Sequence, residues 1–512
     1  MQTGGVLNII GKLLVILSLV LLTPIPFSLY FRDGMVMEFI YCSLIGGLTG
    51  GILVSLFPLR KDMGYRDGFA VVVMSWLGLA VLGSLPFYLS GALPAYVDCF
   101  FESMSGLTTT GSTILPKVEI LPPSLLFWRA TIHWLGGMGI IVLTLAILPI
   151  LGVGGMQLFQ AEMPGPTKDR LAPRIQDTAR ILWGVYLLFT LVEIFLLLVG
   201  GMSFFNAVCH AFSTIATGGF SPHTASVGHY SSAFIHYVII IFMFLGGINF
   251  SLHHRALAGK SLSVYFRNEE FRFFLLLIFL ALVIIVAANL ADQRLEALGS
   301  VFRDSLFQVI AIVTTTGFGT ADFDQWPPVA KLLLVVLMFV GGCAGSTSGG
   351  IKAVRVLLFF KYARLQLRNL IHPQSVGAIK LGHQKVPKEI MIAILGFFGL
   401  YTLFLVLASI AVTALGLDLI TGISAVVATL NNIGPGLGGV GPGTSFGSLP
   451  DSVKWILSFC MLAGRLEITT VVVLLSPDFW KIARKPQFRG WLKKKGKGET
   501  EAGDQRSEVR GR

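Results

Sequence analysis

Four short segments rich in glycine and threonine carry the residues with the most suggestive chemistry in this sequence. They are Ser105–Ser112, Ser213–Gly219, Ile312–Phe318 and Ala428–Pro435. Backbone carbonyl oxygens in such turns can replace the hydration shell of a monovalent cation, and glycine permits the backbone conformations that point them inward. Neighbouring hydroxyl groups can support the turn or add an oxygen ligand. The segments therefore predict ion coordination rather than covalent chemistry.

The four segments belong to an internal repeat. Their key glycines lie roughly 100 residues apart, as expected for one structural unit repeated along the chain; they are Gly111, Gly218, Gly317 and Gly434. A pair of small residues follows each segment within an apolar stretch: Gly136-Gly137, Gly246-Gly247, Gly341-Gly342 and Ala463-Gly464. Four loops around a pseudo-fourfold axis would form a selectivity filter. Its candidate residues are Thr109, Thr110, Gly111, Ala216, Thr217, Gly218, Thr315, Thr316, Gly317, Asn432, Ile433 and Gly434.

Each loop needs a short helix to hold it at membrane depth. We predict re-entrant pore helices, too short to cross a bilayer, at about 97–108, 203–215, 300–314 and 421–431. Irregular backbone at this depth is tolerated only where protein buries it or where it lines a water-filled path. The C-terminus of each helix would direct partial negative charge at a cation. Asp98 and Glu102 open the first pore helix, where the helix dipole favours carboxylates.

The rest of the chain has the composition of a multi-pass membrane protein. Of its 512 residues 54% are hydrophobic and 13% charged, whereas soluble domains carry about 25% charged residues. Apolar stretches recur at about the length that a spanning helix needs. We predict about ten spans, at 8–30, 36–58, 69–90, 125–150, 180–200, 231–252, 273–291, 329–360, 389–415 and 452–475. The predicted fold is therefore all-α.

Basic residues orient these spans. Lys and Arg gather in alternate connections and after residue 481, which places all basic regions and both termini on one side. That side is the cytoplasm by the positive-inside rule. Topology thus accounts for the net charge of +12, and we expect no nucleic-acid partner. Ionisable residues are nearly absent from the spans, and no nucleophile–base set or P-loop occurs. Gly436–Gly441 matches the dinucleotide pattern GxGxxG but follows no βαβ unit, so we treat the match as accidental. We therefore expect neither an enzyme nor a bound organic cofactor.

The repeat divides the chain into six regions. Residues 1–66 form two extra N-terminal spans, and residues 486–512 form a basic cytoplasmic tail. The four units between them each contain a span, a pore helix, a loop and a second span. Their predicted limits are 67–165, 166–262, 263–372 and 373–485.

The span that follows the loop in each unit is here called its inner helix. The inner helices of the third and fourth units each contain an unusual feature. Residues 341–350 include five glycines and otherwise only small side chains, which cannot sustain a helix; a tight helix-packing surface is the alternative. Arg465 lies inside an apolar stretch, where a charge costs about 2.5–3.5 kcal/mol unless it faces a polar interior. The alternative is a structural ion pair with a carboxylate of another unit, because Glu467 would point away from Arg465 on a helix.

The ordered set of motifs resembles the membrane subunit of the bacterial Trk/Ktr potassium-uptake systems, and most closely its TrkH/TrkG branch. The resemblance covers nearly the whole chain. It rests on four motifs: Gly106–Gly111, Thr214–Ser221, Thr314–Asp322 and Asn431–Gly438. It implies that the four key glycines belong to a potassium filter in the cytoplasmic (inner) membrane. Relatives that prefer sodium often carry serine at the first of these positions, where this chain has Gly111.

The resemblance also implies a gate and partners. Segment 341–350 is similar to an intramembrane loop that obstructs the pore below the filter, and Arg465 to the positive residue beside it. The implied gating residues are Gly341, Gly342, Gly345, Ser346, Thr347, Ser348, Gly349, Gly350 and Arg465. A homodimer is implied, docked on a cytoplasmic RCK/TrkA-type subunit that binds NAD or ATP. A sodium-permeable pore or an ion-coupled potassium symporter of the same fold remains the alternative.

Overall fold

The computed structural model of this chain describes residues 2–58, 64–147, 175–292, 298–374, 377–382 and 384–480. These residues are mostly helical, as the sequence predicts. The unit boundary at 165 and 166, the end of the span at 148–150 and the tail 486–512 lie outside the described residues.

The N-terminal region is a pair of packed helices joined by a short one. The helices are α1 (Thr3–Val20), α2 (Ile25–Phe31) and α3 (Val36–Leu56). Helices α1 and α3 approach closely where Gly11 meets Gly50: a Cβ built on Gly11 would lie 2.8 Å from the Gly50 carbonyl oxygen. Small residues at such crossings allow membrane helices to pack backbone against backbone.

The first two units follow in chain order. The first contains α4 (Tyr65–Leu89), the short helix α5 (Tyr96–Leu107) and the inner helix α6 (Pro123–Ile147). Helix α5 and its counterparts in the other units lie where the sequence predicts pore helices, and they keep that name as a label. The second contains α7 (Ile175–Val199), the pore helix α8 (Phe204–Ile215), and the inner helices α9 (Ala233–Gly246) and α10 (Phe250–Gly259).

The last two units have the same order of elements. The short helix α11 (Ser263–Arg267) leads into the third, which contains α12 (Glu269–Ala291), the pore helix α13 (Leu298–Val313), α14 (Pro328–Met338) and α15 (Ala353–Ile371). A two-stranded antiparallel hairpin, β1 (Lys380–Leu381) and β2 (Gln384–Lys385), precedes the fourth. The fourth contains α16 (Lys388–Ala414), the pore helix α17 (Leu419–Leu430), α18 (Asp451–Arg465) and α19 (Ile468–Leu475), and α20 (Pro477–Trp480) follows.

The inner helices of the second and fourth units are broken. The axis turns by 102° between α9 and α10 and by 117° between α18 and α19. Within the described residues, six helices are long and apolar enough to cross a membrane when α1 and α2 are counted as one, or up to eight spans if each bent pair is one. Helices occur at every predicted span, but the number of crossings stays a prediction. This pattern of apolar helices is that of a multi-pass membrane protein.

Hydrogen bonds and ion pairs hold the first turns of three pore helices. Ser203 caps α8 by accepting a hydrogen bond from the backbone N–H of Asn206, and Asp418 caps α17 in the same way. Asp98, in the first turn of α5, instead forms an ion pair with Lys454 of the fourth unit, at 2.6 Å. That contact ties the first unit to the fourth.

Candidate functional site

All four pore helices end in the same backbone turn. A non-glycine residue in the left-handed conformation follows each helix: Thr109 (φ 51°), Thr217 (φ 53°), Thr315 (φ 56°) and Asn432 (φ 54°). The next N–H then bonds five residues back, as from Thr110 to the Ser105 carbonyl at 2.8 Å; this is the Schellman pattern. Left-handed threonine is strained by about 1–3 kcal/mol, and such strain is typical of functional sites.

A glycine with positive φ lies two residues further along each loop. The four are Gly111 (φ 80°), Gly219 (φ 81°), Gly317 (φ 76°) and Gly434 (φ 107°). Each glycine faces a carbonyl oxygen of the next loop. A built Cβ would lie 2.1 Å from the Gly218 oxygen for Gly111, 2.0 Å from the Thr316 oxygen for Gly219, 1.7 Å from the Ile433 oxygen for Gly317 and 3.0 Å from the Thr110 oxygen for Gly434.

These contacts run from the first loop to the second, third and fourth, and return to the first. The four loops therefore form a closed ring with fourfold pseudosymmetry. Only glycine fits at three of the contacts, because any side chain there would overlap the neighbouring backbone.

The ring corrects the alignment of the second loop. Sequence comparison equated Gly218 with Gly111, whereas the backbone equates Gly219 with it, and Gly218 occupies the position of Thr110. Ala216, a candidate residue, lies one place before the strained turn, in an ordinary helical conformation (φ −72°). The sequence does contain a signal for the correct register, because the dipeptide Gly219-Phe220 matches Gly317-Phe318.

Side chains also link the first and fourth loops. Ser112 Oγ donates to the Gly434 carbonyl oxygen at 2.9 Å. Asn432 Nδ2 donates to Thr110 Oγ1 and to the Met461 carbonyl oxygen, each at 2.9 Å. Asparagine replaces threonine at the equivalent position of the fourth loop, and its amide connects that loop to the first loop and to α18 of its own unit.

The interrupted segment 341–350 lies against the ends of the pore helices. Thr347 Oγ1 donates to the last residue of α8, the Ile215 carbonyl, at 2.9 Å, and Gly349 N–H donates to Thr315 Oγ1 at 2.7 Å. Thr217 Oγ1 lies 3.3 Å from Thr347 Oγ1. A Cβ on Gly349 would come within 2.7 Å of Asn432 Cβ. The segment therefore contacts the strained residues of three loops at once.

Arg465 meets the same segment. Its Nη1 donates to the Thr347 carbonyl oxygen at 2.7 Å and its Nη2 to the Gly136 carbonyl oxygen at 3.0 Å. The side chain is buried, and among the described residues no carboxylate forms an ion pair with it. Glu467, just past the helix end with φ 61°, instead pairs with Arg355 of α15 at 2.6 Å.

Glu270 is an anchor of this segment that the sequence did not reveal. Its carboxylate accepts hydrogen bonds from Ala344 N–H at 2.7 Å and from Val354 N–H at 3.2 Å. The same segment bonds to the break between α9 and α10, where Cys343 N–H donates to the Gly247 carbonyl oxygen at 2.9 Å. Glu270 lies in the first turn of α12, just before the predicted span 273–291, where a carboxylate is ordinarily explained by the helix dipole.

Glu102 likewise plays a different part from the one expected. It lies in the middle of α5 rather than at its start, and it is buried in an ion pair with Arg129 of α6 at 2.7 Å.

Between the first loop and α6, Glu119 accepts a hydrogen bond from Thr224 N–H at 2.8 Å. Burial acts to raise the pKa of Glu119, but the hydrogen bonds from Thr224 outweigh it and hold this pKa below its ordinary value.

Comparison with known proteins decides the family. A family model described as TrkH, cation transport protein, matches residues 36–482. The chain belongs to this family. The resemblance seen in the sequence is thereby confirmed.

Several relatives match at nearly full length. The Trk system potassium uptake protein TrkH of Salmonella typhimurium is 44% identical over 94% of this chain and 100% of its own. The Trk system potassium uptake protein TrkG of Escherichia coli is 35% identical over 93% of this chain and 98% of its own. The crystal structure of the potassium transporter TrkH from Vibrio parahaemolyticus superposes with a TM-score of 0.86 at 39% identity, covering 94% of this chain and 100% of that one.

Proposed function

We propose that this protein takes up potassium through a central pathway whose selectivity filter is the ring of four loops. The observation that carries the proposal is the closed set of glycine-to-carbonyl contacts. The same contact recurs at the carbonyl groups of Thr110, Gly218, Thr316 and Ile433, which supports their arrangement around one axis. A ring of carbonyl oxygens is the arrangement that replaces the hydration shell of potassium. The names of the full-length relatives, potassium uptake proteins, support the same ion.

We propose segment 341–350 and Arg465 as the gate of this pathway. The segment touches the turns that support three of the four loops, and Arg465 bonds to its Thr347 carbonyl. A guanidinium group in a cation pathway disfavours a resting cation by charge repulsion. The proposed gate therefore combines a physical obstruction with an electrostatic barrier.

We also propose that the four units predicted from the sequence each form one quarter of this pathway.

We propose the bacterial cytoplasmic membrane as the site of action, with both termini in the cytoplasm. A homodimer and a nucleotide-binding regulatory subunit of the RCK/TrkA type are the proposed partners. The word "system" in the names of the relatives supports association with further components. Basic residues of α15, including Arg364 and Arg368, offer a surface for such a subunit.

The test is uptake of radioactive rubidium by liposomes that hold the purified protein and an internal potassium load. Uptake that external potassium suppresses and sodium does not would support a potassium-selective pathway. Equal suppression by sodium would overturn the selectivity and favour the sodium-permeable alternative. Uptake that requires an imposed sodium or proton gradient would favour a coupled symporter. If uptake is absent, variants that loosen segment 341–350 separate a closed gate from a chain that does not conduct.

A further inference from the structure

A buried ion pair behind the ring joins two of its loops. Glu102 of α5 and Arg129 of α6 are 0% and 2% exposed. The guanidinium Nε and Nη2 both lie 2.7 Å from Glu102 Oε1. Desolvating two charges costs as much as their attraction returns, so burial alone gives this pair no evident stabilising purpose. Its other contacts indicate what it does.

Those contacts are all made to the residues that follow the ring glycine in each loop, here called the outward limb of the loop. Thr113 lies two residues after Gly111, and Ser221 lies two residues after Gly219, so they hold equivalent places in the first and second loops. Glu102 accepts hydrogen bonds from Thr113 Oγ1 at 3.0 Å and from Ile114 N–H at 3.1 Å. Arg129 donates to Thr113 Oγ1 and to the Ser221 carbonyl oxygen, each at 3.2 Å. The fork of one guanidinium thus spans both limbs.

A stack of aromatic side chains beside the second loop strengthens this link. The Arg129 guanidinium lies 3.9 Å above the centre of the Phe220 ring, and Phe220 stacks on His133. Phe220 directly follows Gly219. A planar guanidinium can bond in its plane and stack on a ring at the same time, which an ammonium group cannot do.

The other pore helices brace their own loops without such an ion pair. His210 Nε2 lies 3.2 Å from Ser221 Oγ, Gln308 Nε2 donates to the Ala321 carbonyl at 3.2 Å, and Ser424 Oγ donates to the Leu437 carbonyl at 3.0 Å. All three braces join the middle of a pore helix to the limb a few residues beyond the ring glycine. In these contacts, the brace of the first unit is the one that uses an ion pair and reaches the next loop.

We propose that the Glu102–Arg129 pair is a specificity-determining positioning device that sets the separation of the first two loops of the ring. The inference rests on the proposed filter. A ring of carbonyl groups distinguishes potassium from smaller cations only if its loops hold their places when an ion of the wrong size enters. Loosening the first brace lets the adjoining loops move, and sodium is then coordinated with less penalty.

Four variants test the proposal through competition against rubidium uptake. The readout is the ratio of the sodium and potassium concentrations that halve uptake. We expect Glu102→Gln, Arg129→Gln and the double variant each to lower this ratio by about tenfold, in the same direction. Thr113→Val removes only one hydroxyl that the pair contacts and is expected to lower the ratio by a smaller factor. It supplies the measurement if loss of a buried charge prevents folding.

The direction of the effect of each single variant distinguishes a positioning role of the pair from an electrostatic role. If the pair acted through its charge, the uncompensated arginine in Glu102→Gln and the uncompensated carboxylate in Arg129→Gln would shift rubidium affinity in opposite directions. The double variant would then restore the original ratio. That result, or an unchanged ratio in all variants including Thr113→Val, would overturn the proposal.

The control is a second, partly buried ion pair, formed by Asp98 of the same pore helix and Lys454 of α18. Asp98 and Lys454 lie 2.6 Å apart, and neither side chain has a hydrogen bond to a loop limb among the described contacts. The double variant Asp98→Asn/Lys454→Gln is expected to keep the original ratio. If the unaltered protein shows no preference for potassium, the proposed function fails. If it shows the preference and the Glu102, Arg129 and Thr113 variants keep it, only the positioning role fails.

Discussion

At the scale of single residues, the decisive feature is backbone conformation rather than side-chain chemistry. Thr109, Thr217, Thr315 and Asn432 all adopt the left-handed conformation, which is unfavourable for a β-branched side chain. The glycine two places further on takes a positive φ against the next loop. Strained backbone persists only where the surrounding structure enforces it. The strain at the three threonines, with Asn432 in the same conformation in the fourth loop, therefore makes the ring a candidate functional site.

The register of the second loop is open to a direct test. We expect Gly219→Ala to lower the preference for potassium over sodium by at least about tenfold, because its Cβ would lie 2.0 Å from the Thr316 carbonyl oxygen. Ala216→Gly is the matched control, since residue 216 has ordinary helical geometry, and it should leave the preference unchanged. Competition against rubidium uptake measures both. The reverse result would restore the register inferred from sequence.

Arg465 provides a second prediction at this scale. Arg465→Ala removes two hydrogen bonds from a charged donor, each worth about 1.5–3 kcal/mol, and removes a positive charge from the pathway. We expect faster rubidium uptake by about tenfold in liposomes without a partner subunit. Arg465→Lys keeps the charge but cannot bond to both carbonyls as a fork, so it should give an intermediate rate. Unchanged or slower uptake in correctly folded Arg465→Ala would contradict the barrier.

At the scale of elements, the interrupted helix of the third unit is held from several directions. Segment 341–350 bonds to the ends of pore helices, to the break between α9 and α10, and to Glu270 at the start of α12. A segment of small residues makes few contacts through its side chains, so its position depends on backbone hydrogen bonds to these neighbours. Its place is therefore set by its surroundings rather than by its own sequence.

Glu270 offers the test of this dependence. Glu270→Gln replaces two charge-assisted hydrogen bonds by neutral ones of about half their strength. We expect the segment to open more often and rubidium uptake to rise severalfold. The adjacent residue supplies the control, because Glu269 bonds to Lys361 and Gly382 N–H rather than to the segment. Equal effects of Glu269→Gln and Glu270→Gln would show that the segment does not depend on this anchor.

At the scale of the whole molecule, the contacts between the four loops close in a ring, so each unit would supply a quarter of the proposed filter. The Asp98–Lys454 pair and the Ser112–Gly434 hydrogen bond join the first unit to the last, although more than 300 residues separate them. A cation bound in the ring would hold all four units together. Stability should therefore depend on the ion present.

Ion-dependent melting tests this expectation. A ligand that binds only the folded state stabilises it by about 2.7 kcal/mol at a concentration of one hundred times its Kd. For purified protein in detergent, we expect potassium to raise the melting temperature by a few degrees relative to sodium at equal ionic strength. Gly219→Ala should abolish this difference. A difference of the same size in that variant would place the stabilising ion outside the ring.

The sequence by itself determined the membrane class and the family, and its four predicted short helices coincide with helices that end in the same turn. The length of the apolar stretches, the composition and the internal repeat are properties of the sequence itself, so they can be recognised without knowledge of the fold. Predicted pore helices such as 203–215 differ by only one residue from the observed Phe204–Ile215. The interruption at 341–350 was equally visible, because its glycines cannot sustain a helix.

Only the tertiary structure decided the second loop register, the partners of Arg465 and the roles of Glu102 and Glu270. Gly218 and Gly219 are adjacent glycines, and only the structure shows that Gly219 is the one with positive φ that faces the third loop. Arg465 bonds to backbone carbonyl groups of two other units, and carbonyl groups leave no trace in a sequence. Glu102 and Arg129 meet because a pore helix folds back against the next inner helix. Contacts between residues far apart in the chain follow from the closing of the ring.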